Sequence, residues 1–277
     1  MISDAHGCAP APVAAEKSGT GHAADAELLF GVVREAGALA LTFAHKGFRR
    51  WRKADGTPVT EADMAVDAFL KKELHGARPD YGWLSEEMPD DEARLSRERL
   101  WVADPIDGTR AFISGGDEWC IAVALIEHAR PVIGAIYRPV RDEFYSAIAG
   151  EGAFLNERRL AVPQRSSLDH AAVIGNAAAL KTIGAKAPVT PVQGTNAPLA
   201  MRLAGVAADR FAAALSTTPK HDWDLAAGDL LVHEAGGVVT GLDGAKLAFN
   251  RSEPRQEGYV AAAPGLQRAL VEILRTS

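Results

Sequence analysis

Residues 101–113, WVADPIDGTRAFI, set two carboxylates, a glycine and a hydroxyl behind a short apolar lead. Trp101, Val102 and Ala103 run into Asp104, and Pro105, which lacks an N–H and fixes its own φ, should stop the strand there. Asp107, Gly108 and Thr109 follow at once. A buried strand ending this way gathers Asp104 and Asp107 in one small volume, which is unfavourable unless a cation compensates them. Carboxylates are hard oxygen donors, suited to magnesium or manganese rather than zinc. The plainer reading is a polar turn in which Asp107-Gly108 only reverses the chain.

Three further stretches carry candidate chemistry. Thr60 and Asp63 have the spacing of a capping box, so Asp63 either serves only as cap partner or also faces a site. Tyr81 to Leu84 reads as a short strand that delivers Ser85, Glu86 and Glu87. Adjacent residues alternate in extended chain, so at most one of the two glutamates faces Asp104; a solvated charge pair is the plainer reading. HDWDLAAGDLLVHEAGG, residues 221–237, predicts a helix over Trp223–Ala235. Asp222 or Asp224 lies at its positive end, small residues allow close packing, and Gly236-Gly237 ends it. His233 and Glu234 are adjacent and diverge on a helix, and no cysteine or paired-histidine spacing supports zinc.

Bulk properties exclude several classes. A chain of 277 residues with 47% hydrophobic and 24% charged residues has the length and composition for a substantial core. A net charge of −6 gives no basic footprint for a nucleic acid polymer. It still permits an anionic small substrate, because bound divalent ions reverse a local field. Cys8 and Cys120 are too few for a disulfide framework, and no secretory leader pattern opens the chain, so a cytoplasmic location is expected. No apolar run reaches transmembrane length, so no membrane partner is expected.

The elements that must position these residues follow from periodicity. Residues 1–25, rich in Ala, Gly, Pro and Ser, are expected to form a disordered tail. Apolar spacing predicts helices from Ala24 to His45 and from Thr60 through Leu74. Cys120–Ile126, Val132–Tyr137 and Glu143–Ile148 predict an antiparallel meander, with Arg158–Val162 as an edge. Pro163–Asp169 is the expected boundary between an α+β part, 26–162, with most candidate ligands, and an α/β part, 163–277, that completes the site. In the second part, strands at Ala171–Ile174, Arg210–Leu215, Val238–Thr240 and Tyr259–Ala262 accompany helices at Pro198–Gly205, Trp223–Ala235 and Leu266–Leu274.

DGTPVTEAD (55–63) with LSEE (84–87), DPIDGTRAF (104–112) and WDLAAGDLLVHEAGG (223–237) together resemble, in order, the motifs of the inositol monophosphatase-like superfamily of magnesium-dependent, lithium-sensitive phosphatases. The resemblance spans residues 26–275. It implies an alternating αβαβα layered sandwich, shared with fructose-bisphosphatase, with the site in the cleft between the two parts. Carried over by position, Glu86, Asp104 and the Ile106 carbonyl would hold one Mg2+, and Asp104, Asp107 and Asp224 a second. A third ion is implied near Glu86 and Asp63, and Mn2+ can substitute. Thr109, with Asp63 or Glu86 behind it, would orient the attacking water and take its proton. The Gly108 and Thr109 amides would cradle the phosphate, with Asp107, Asp224 and Lys220 meeting the substrate. A homodimer is also implied.

Substrate identity turns on one departure. Inositol-phosphate enzymes carry a glutamate seven residues before the aspartate of the Trp-Asp pair, and here Thr217 stands there. DGTPVTEAD, DPIDGTRAFI and PKHDWDLAAG are more similar to the bacterial 3′(2′),5′-bisphosphate nucleotidase branch, which removes the 3′-phosphate of adenosine 3′,5′-bisphosphate. Lys220, Arg110 and Lys53 are candidates for a second phosphate. Histidinol-phosphate phosphatase and inositol or sugar monophosphatase are the alternatives. A catalytically silent phosphometabolite-binding protein is the alternative of another class; it would have lost one of Glu86, Asp104, Asp107, Thr109 and Asp224, and all are present.

Overall fold

The structure, a computed structural model, describes residues 21–193 and 197–276. Helix α1 (Ala23–Lys46) leads to a hairpin, β1 (Arg50–Arg52) and β2 (Pro58–Thr60), then to α2 (Glu61–Leu70), continued by a wider π turn at Lys71–His75. Seven strands then pair in sequence order. They are β3 (Gly82–Ser85), β4 (Arg99–Asp107), β5 (Cys120–Glu127), β6 (Arg130–Arg138), β7 (Glu143–Ile148), β8 (Gly152–Leu155) and β9 (Arg158–Arg159), with α3 (Thr109–Ile113) between β4 and β5. β3 and β4 are parallel; the other neighbours are antiparallel, as short connections require.

The remainder builds a five-stranded sheet. Its elements are β10 (Ala172–Gly175), α4 (Ala177–Gly184), β11 (Thr190–Pro191), α5 (Leu199–Ala207) and β12 (Ala213–Ser216). There follow β13 (Lys220–His221), α6 (Asp222–Glu234), β14 (Val238–Thr240), β15 (Arg255–Gln256), β16 (Tyr259–Ala262) and α7 (Pro264–Arg275). Spatial order is β11-β10-β12-β16-β14, while β13 and β15 pair separately.

Strand alternation sorts side chains into three cores. Trp101 and Ala103 of β4 bury with Leu29, Val33 and Val66 of α1 and α2. Leu100 and Val102 turn the other way, into a core shared with Leu203 of α5 and Leu225 of α6. Ala214, Tyr259 and Ala261 close that core from the second sheet. Val173, Leu215 and Val260 face outward onto Ile183 of α4 and Leu266 of α7. The result is the αβαβα layered sandwich, each sheet buried on both faces.

Helix α6 packs closely within the middle layer. A Cβ on Gly134 of β6 would lie 3.1 Å from the Ala227 carbonyl, and one on Gly228 would lie 2.5 Å from Leu203. The small residues of LAAGDLL thus let α6 press against a strand and a helix together.

Several expectations need correction. β4 does not stop at Pro105. Asp104 pairs with Ala122 and Asp107 with Cys120, so the register shifts between them. Pro105 lies within that irregularity, where no ladder N–H is demanded. The first helix begins at Ala23, and Asp25 is buried, accepting from Arg78 Nε at 2.7 Å and Tyr81 Oη at 2.7 Å. Residues 21–25 therefore belong to the fold, while the rest of the expected tail, with Cys8, lies outside the described residues. α1 is also long and apolar enough, by length and composition, to cross a membrane. The stripe Leu29, Val32, Val33, Ala36 and Ala40 packs into the α1–α2 core. The edge beyond Arg159 is not strand; Val162 N instead donates to Ala235 O at the end of α6. Helix α4 and the shortest strands span too few residues to show a period in the sequence.

Gly228→Ala tests the α6 contact. Alanine gains up to about 1 kcal/mol of helix propensity, but its methyl meets the Leu203 Cβ, which cannot swing aside. Overpacking of this kind costs about 1–3 kcal/mol, so the urea midpoint is expected to fall.

Candidate active site

The end of β4 carries the first two ligand candidates. Asp104 is buried, and its Oδ1 accepts from Ile106 N at 3.1 Å. The irregularity after it brings Asp107 to the same end of the strand, where Asp107 Oδ2 accepts from Ala200 N at 2.8 Å, in the first turn of α5. Gly108 then turns with φ +99°, a conformation glycine adopts freely, and a Cβ there would lie 2.6 Å from the Glu118 carbonyl. Thr109 opens α3 directly after it.

Three other elements converge on this point. Helix α6 delivers Asp224, whose Oδ2 accepts from His221 N at 3.0 Å. One oxygen each from Asp104, Asp107 and Asp224 lies within 4.8 Å of the other two. Helix α2 delivers Asp63. Its Oδ2 accepts from Thr60 N at 2.8 Å and Thr60 Oγ1 at 2.5 Å, completing the capping box. Its Oδ1 accepts from Thr109 Oγ1 at 3.2 Å, so the cap residue also reaches the site. Thr109 Oγ1 stands 3.2 Å from the Ile106 carbonyl as well. Strand β3 delivers Glu86 into the same cleft. Glu86 is not drawn in with the three aspartates: Lys53 Nζ lies 3.0 Å from its Oε1 and 2.8 Å from Glu87 Oε1. Glu87 faces an adjoining hollow instead, beside Trp51 and Met88.

Electrostatics show what the cluster lacks. Burial, then the charges of Glu86, Asp107 and Asp224, pushes the Asp104 carboxyl well above the ordinary carboxylate range. Burial raises Asp107 to about 7 against the Ala200 N–H bond that opposes it. Burial, then Asp107 and Glu86, raises Asp224 to about 8. Asp63 is raised by burial, with the Thr60 bonds pulling the other way. No lysine or arginine pairs with Asp104, Asp107 or Asp224 among the described residues. Hard oxygen donors gathered without a counter-charge fit divalent magnesium or manganese. The other grouping of such donors, Glu98, Glu127 and His128, is less enclosed, and its Glu127 already meets His22 and Arg99.

Glu86, Asp104, Asp107 and Asp224 line a cleft of about 1000 Å³. Gly108, Thr109 and Lys220 line it, as do Arg110 and, unanticipated from the sequence, Arg202 of α5. Of the candidate second-phosphate contacts, Lys53 is committed to Glu86 and Glu87. Thr217 turns away: its N–H donates to Asn176 Oδ1 at 3.0 Å, and its hydroxyl accepts from Asn176 Nδ2 at 3.1 Å. Asn176 carried no local signal beyond a helix-capping type, and its link to Thr217 crosses 41 positions of sequence.

Comparison with known proteins places the chain. The profile of the inositol monophosphatase family matches residues 25–277. The chain belongs to that family. The family is one of metal-dependent phosphatases, and the chain is accordingly a phosphoric monoester hydrolase. It is 35% identical over 236 residues to an inositol-1-monophosphatase of Mesorhizobium japonicum, covering 80% of this chain and 85% of that one. It is 42% identical over 100 residues to the 3′(2′),5′-bisphosphate nucleotidase CysQ of Escherichia coli, covering 36% of this chain and 41% of that one. Its fold matches the suppressor protein SuhB of Bartonella henselae with a TM-score of 0.78 at 26% identity, over 92% of this chain and 100% of that one.

The raised carboxyls give a pH prediction. Without metal, the folded chain keeps protons that the unfolded chain sheds near the ordinary carboxylate pKa. Their stabilising contribution is present at low pH and is lost as pH rises through about 7 to 8. In a chelator, the thermal midpoint is expected to fall between about pH 6 and about pH 8.5, and Asp224→Asn to reduce that fall. Millimolar magnesium is expected to restore the midpoint at the higher pH, by binding the folded state alone.

Proposed function

We propose that the chain is a magnesium-dependent phosphomonoesterase acting on a 3′(2′),5′-bisphosphate nucleotide and releasing its 3′-phosphate. The observation that carries the chemistry is the cluster of Asp104, Asp107 and Asp224 beside the Thr109–Asp63 hydrogen bond. Glu86, Asp104, the Ile106 carbonyl, Asp107 and Asp224 would hold two Mg2+ ions, with a third near Glu86 and Asp63. Bound there, the ions neutralise charge on the phosphoryl oxygens and make a water a stronger nucleophile.

The chain's own residues do the rest. When the Thr109 hydroxyl donates to Asp63 Oδ1, its lone pairs are left to accept a proton from a water. That bond orients the water for in-line attack on phosphorus. The water proton passes to Thr109 Oγ1 as the hydroxyl proton passes to Asp63, whose raised pKa suits it to accept one. The P–O ester bond breaks, and the leaving oxygen takes a proton from solvent in the open cleft. Gly108 keeps side chains clear of the phosphate, and the Gly108 and Thr109 amides face its oxygens.

Two observations support the substrate. Thr217 replaces the acid that would grip vicinal hydroxyls, and it is occupied by Asn176. The identity to CysQ, where it aligns, exceeds that to the inositol enzymes. The longer match to the Mesorhizobium inositol-1-monophosphatase favours a second reading, an inositol or sugar monophosphatase.

Phosphate release with magnesium from adenosine 3′,5′-bisphosphate, histidinol phosphate and inositol 1-phosphate, at matched low concentration, tests the proposal. Preference for the bisphosphate is expected; preference for either other substrate overturns the substrate reading, and no release from any overturns the enzyme reading. Thr109→Ala is expected to lower kcat by roughly 10²- to 10⁴-fold. Asp104→Asn is expected to abolish magnesium-dependent turnover while leaving the fold intact by circular dichroism.

A further inference from the structure

Burying a guanidinium without a counter-charge is unfavourable, and this chain almost never does it. Each other buried or half-buried arginine among the described residues has a carboxylate partner. Arg78 lies 2.7 Å from Asp25, and Arg94 2.6 Å from Asp90. Arg99 lies 3.2 Å from Asp25, Arg130 2.6 Å from Asp229, and Arg138 3.1 Å from Asp117. Arg202 is the exception. It is half-buried, it lines the catalytic cleft, and it has no carboxylate within ion-pair distance among the described residues. Its Nε is fixed on the Ala197 carbonyl at 2.8 Å, which sets the plane of the guanidinium and leaves its terminal nitrogens unassigned. It lowers the Asp107 carboxyl only at longer range.

Position gives this arginine a direction. In-line displacement puts the nucleophile and the leaving oxygen on opposite sides of phosphorus. The nucleophile side is marked by the bond from Thr109 to Asp63 on α2. Helix α5, which carries Arg202, packs on the face of the seven-stranded sheet opposite α2, with Leu203 in the core of Leu100 and Val102, and its Ala200 amide meets Asp107. Arg202 therefore sits toward the leaving group rather than the transferred phosphoryl. We infer that Arg202 is a specificity-determining residue that reads a second phosphate borne by the leaving alcohol. A planar guanidinium anchored by Nε presents its remaining donors to two oxygens of a phosphate at once. Lys220 and Arg110 line the same cleft, but Lys220 Nζ is engaged by Thr218 at 3.0 Å and Arg110 is exposed. Both are weaker candidates for a desolvated contact.

This inference rests on the bisphosphate reading, so the test separates the two. The probes are adenosine 3′,5′-bisphosphate and adenosine 3′-monophosphate, which share the scissile ester and differ only in the second phosphate. The ratio of their kcat/KM values is measured for the magnesium-loaded wild-type chain, Arg202→Met and Arg202→Lys. The ratio is expected to fall roughly 10- to 100-fold in Arg202→Met, through KM. Arg202→Lys, which keeps the charge without the fork, is expected to recover part of it. A ratio within twofold of wild type in both variants overturns the assignment and leaves the substrate reading standing. A wild-type chain that does not distinguish the two nucleotides overturns the substrate reading itself, and this inference with it. Should Arg202→Met fail to fold, the ratio in Arg202→Lys decides alone, since loss of fork geometry must still lower it.

Discussion

Mutual repulsion among Asp104, Asp107 and Asp224 is the constraint to which the rest of the structure answers. Three carboxyl groups within 4.8 Å and largely out of water oppose folding unless something balances them. Protons balance them below about pH 7, and divalent cations above it. The backbone contributes to that balance: amides of Ile106, Ala200 and His221 each donate to one of the three. Each acid keeps an oxygen uncommitted as a result.

The architecture exists to bring four separate chain segments to one end of a strand. β4 supplies two acids because its register shifts rather than because it ends. α2 supplies Asp63, α6 supplies Asp224, and β3 supplies Glu86. Two of these segments lie on opposite faces of the seven-stranded sheet, since α2 packs with Trp101 and α6 with Leu100. The site therefore forms beyond the end of β4, where the two helical layers meet.

Much of this was legible because the acids sit in contiguous motifs with local signals: a capping box around Asp63, a proline and a glycine around Asp107, and a dipole-favoured start for Asp224. What was not legible depends on distance along the chain. Lys53 meets Glu86 across 33 positions, so nothing near either residue announces the pair. Arg202 is one cation in the apolar run LAMRLAGVA, where a side chain reaching along the surface and one turned into a cleft have the same sequence. Pro105 misled in a different way. The rule that proline ends a strand holds for a regular ladder, and the ladder here is irregular at that point.

Helix α6 has a further consequence. On one side it packs against the strands of the first sheet, with Gly134 beneath Ala227. On the other it shares its core with Tyr259 and Ala261 of the second sheet. A single helix thus packs against both sheets and carries Asp224 in its first turn. One continuous core therefore runs from the first sheet through α6 to the second. Thr57 and Pro58 of the β1–β2 hairpin line the cleft from outside that shared core, so its rim and its acids are built on separate supports.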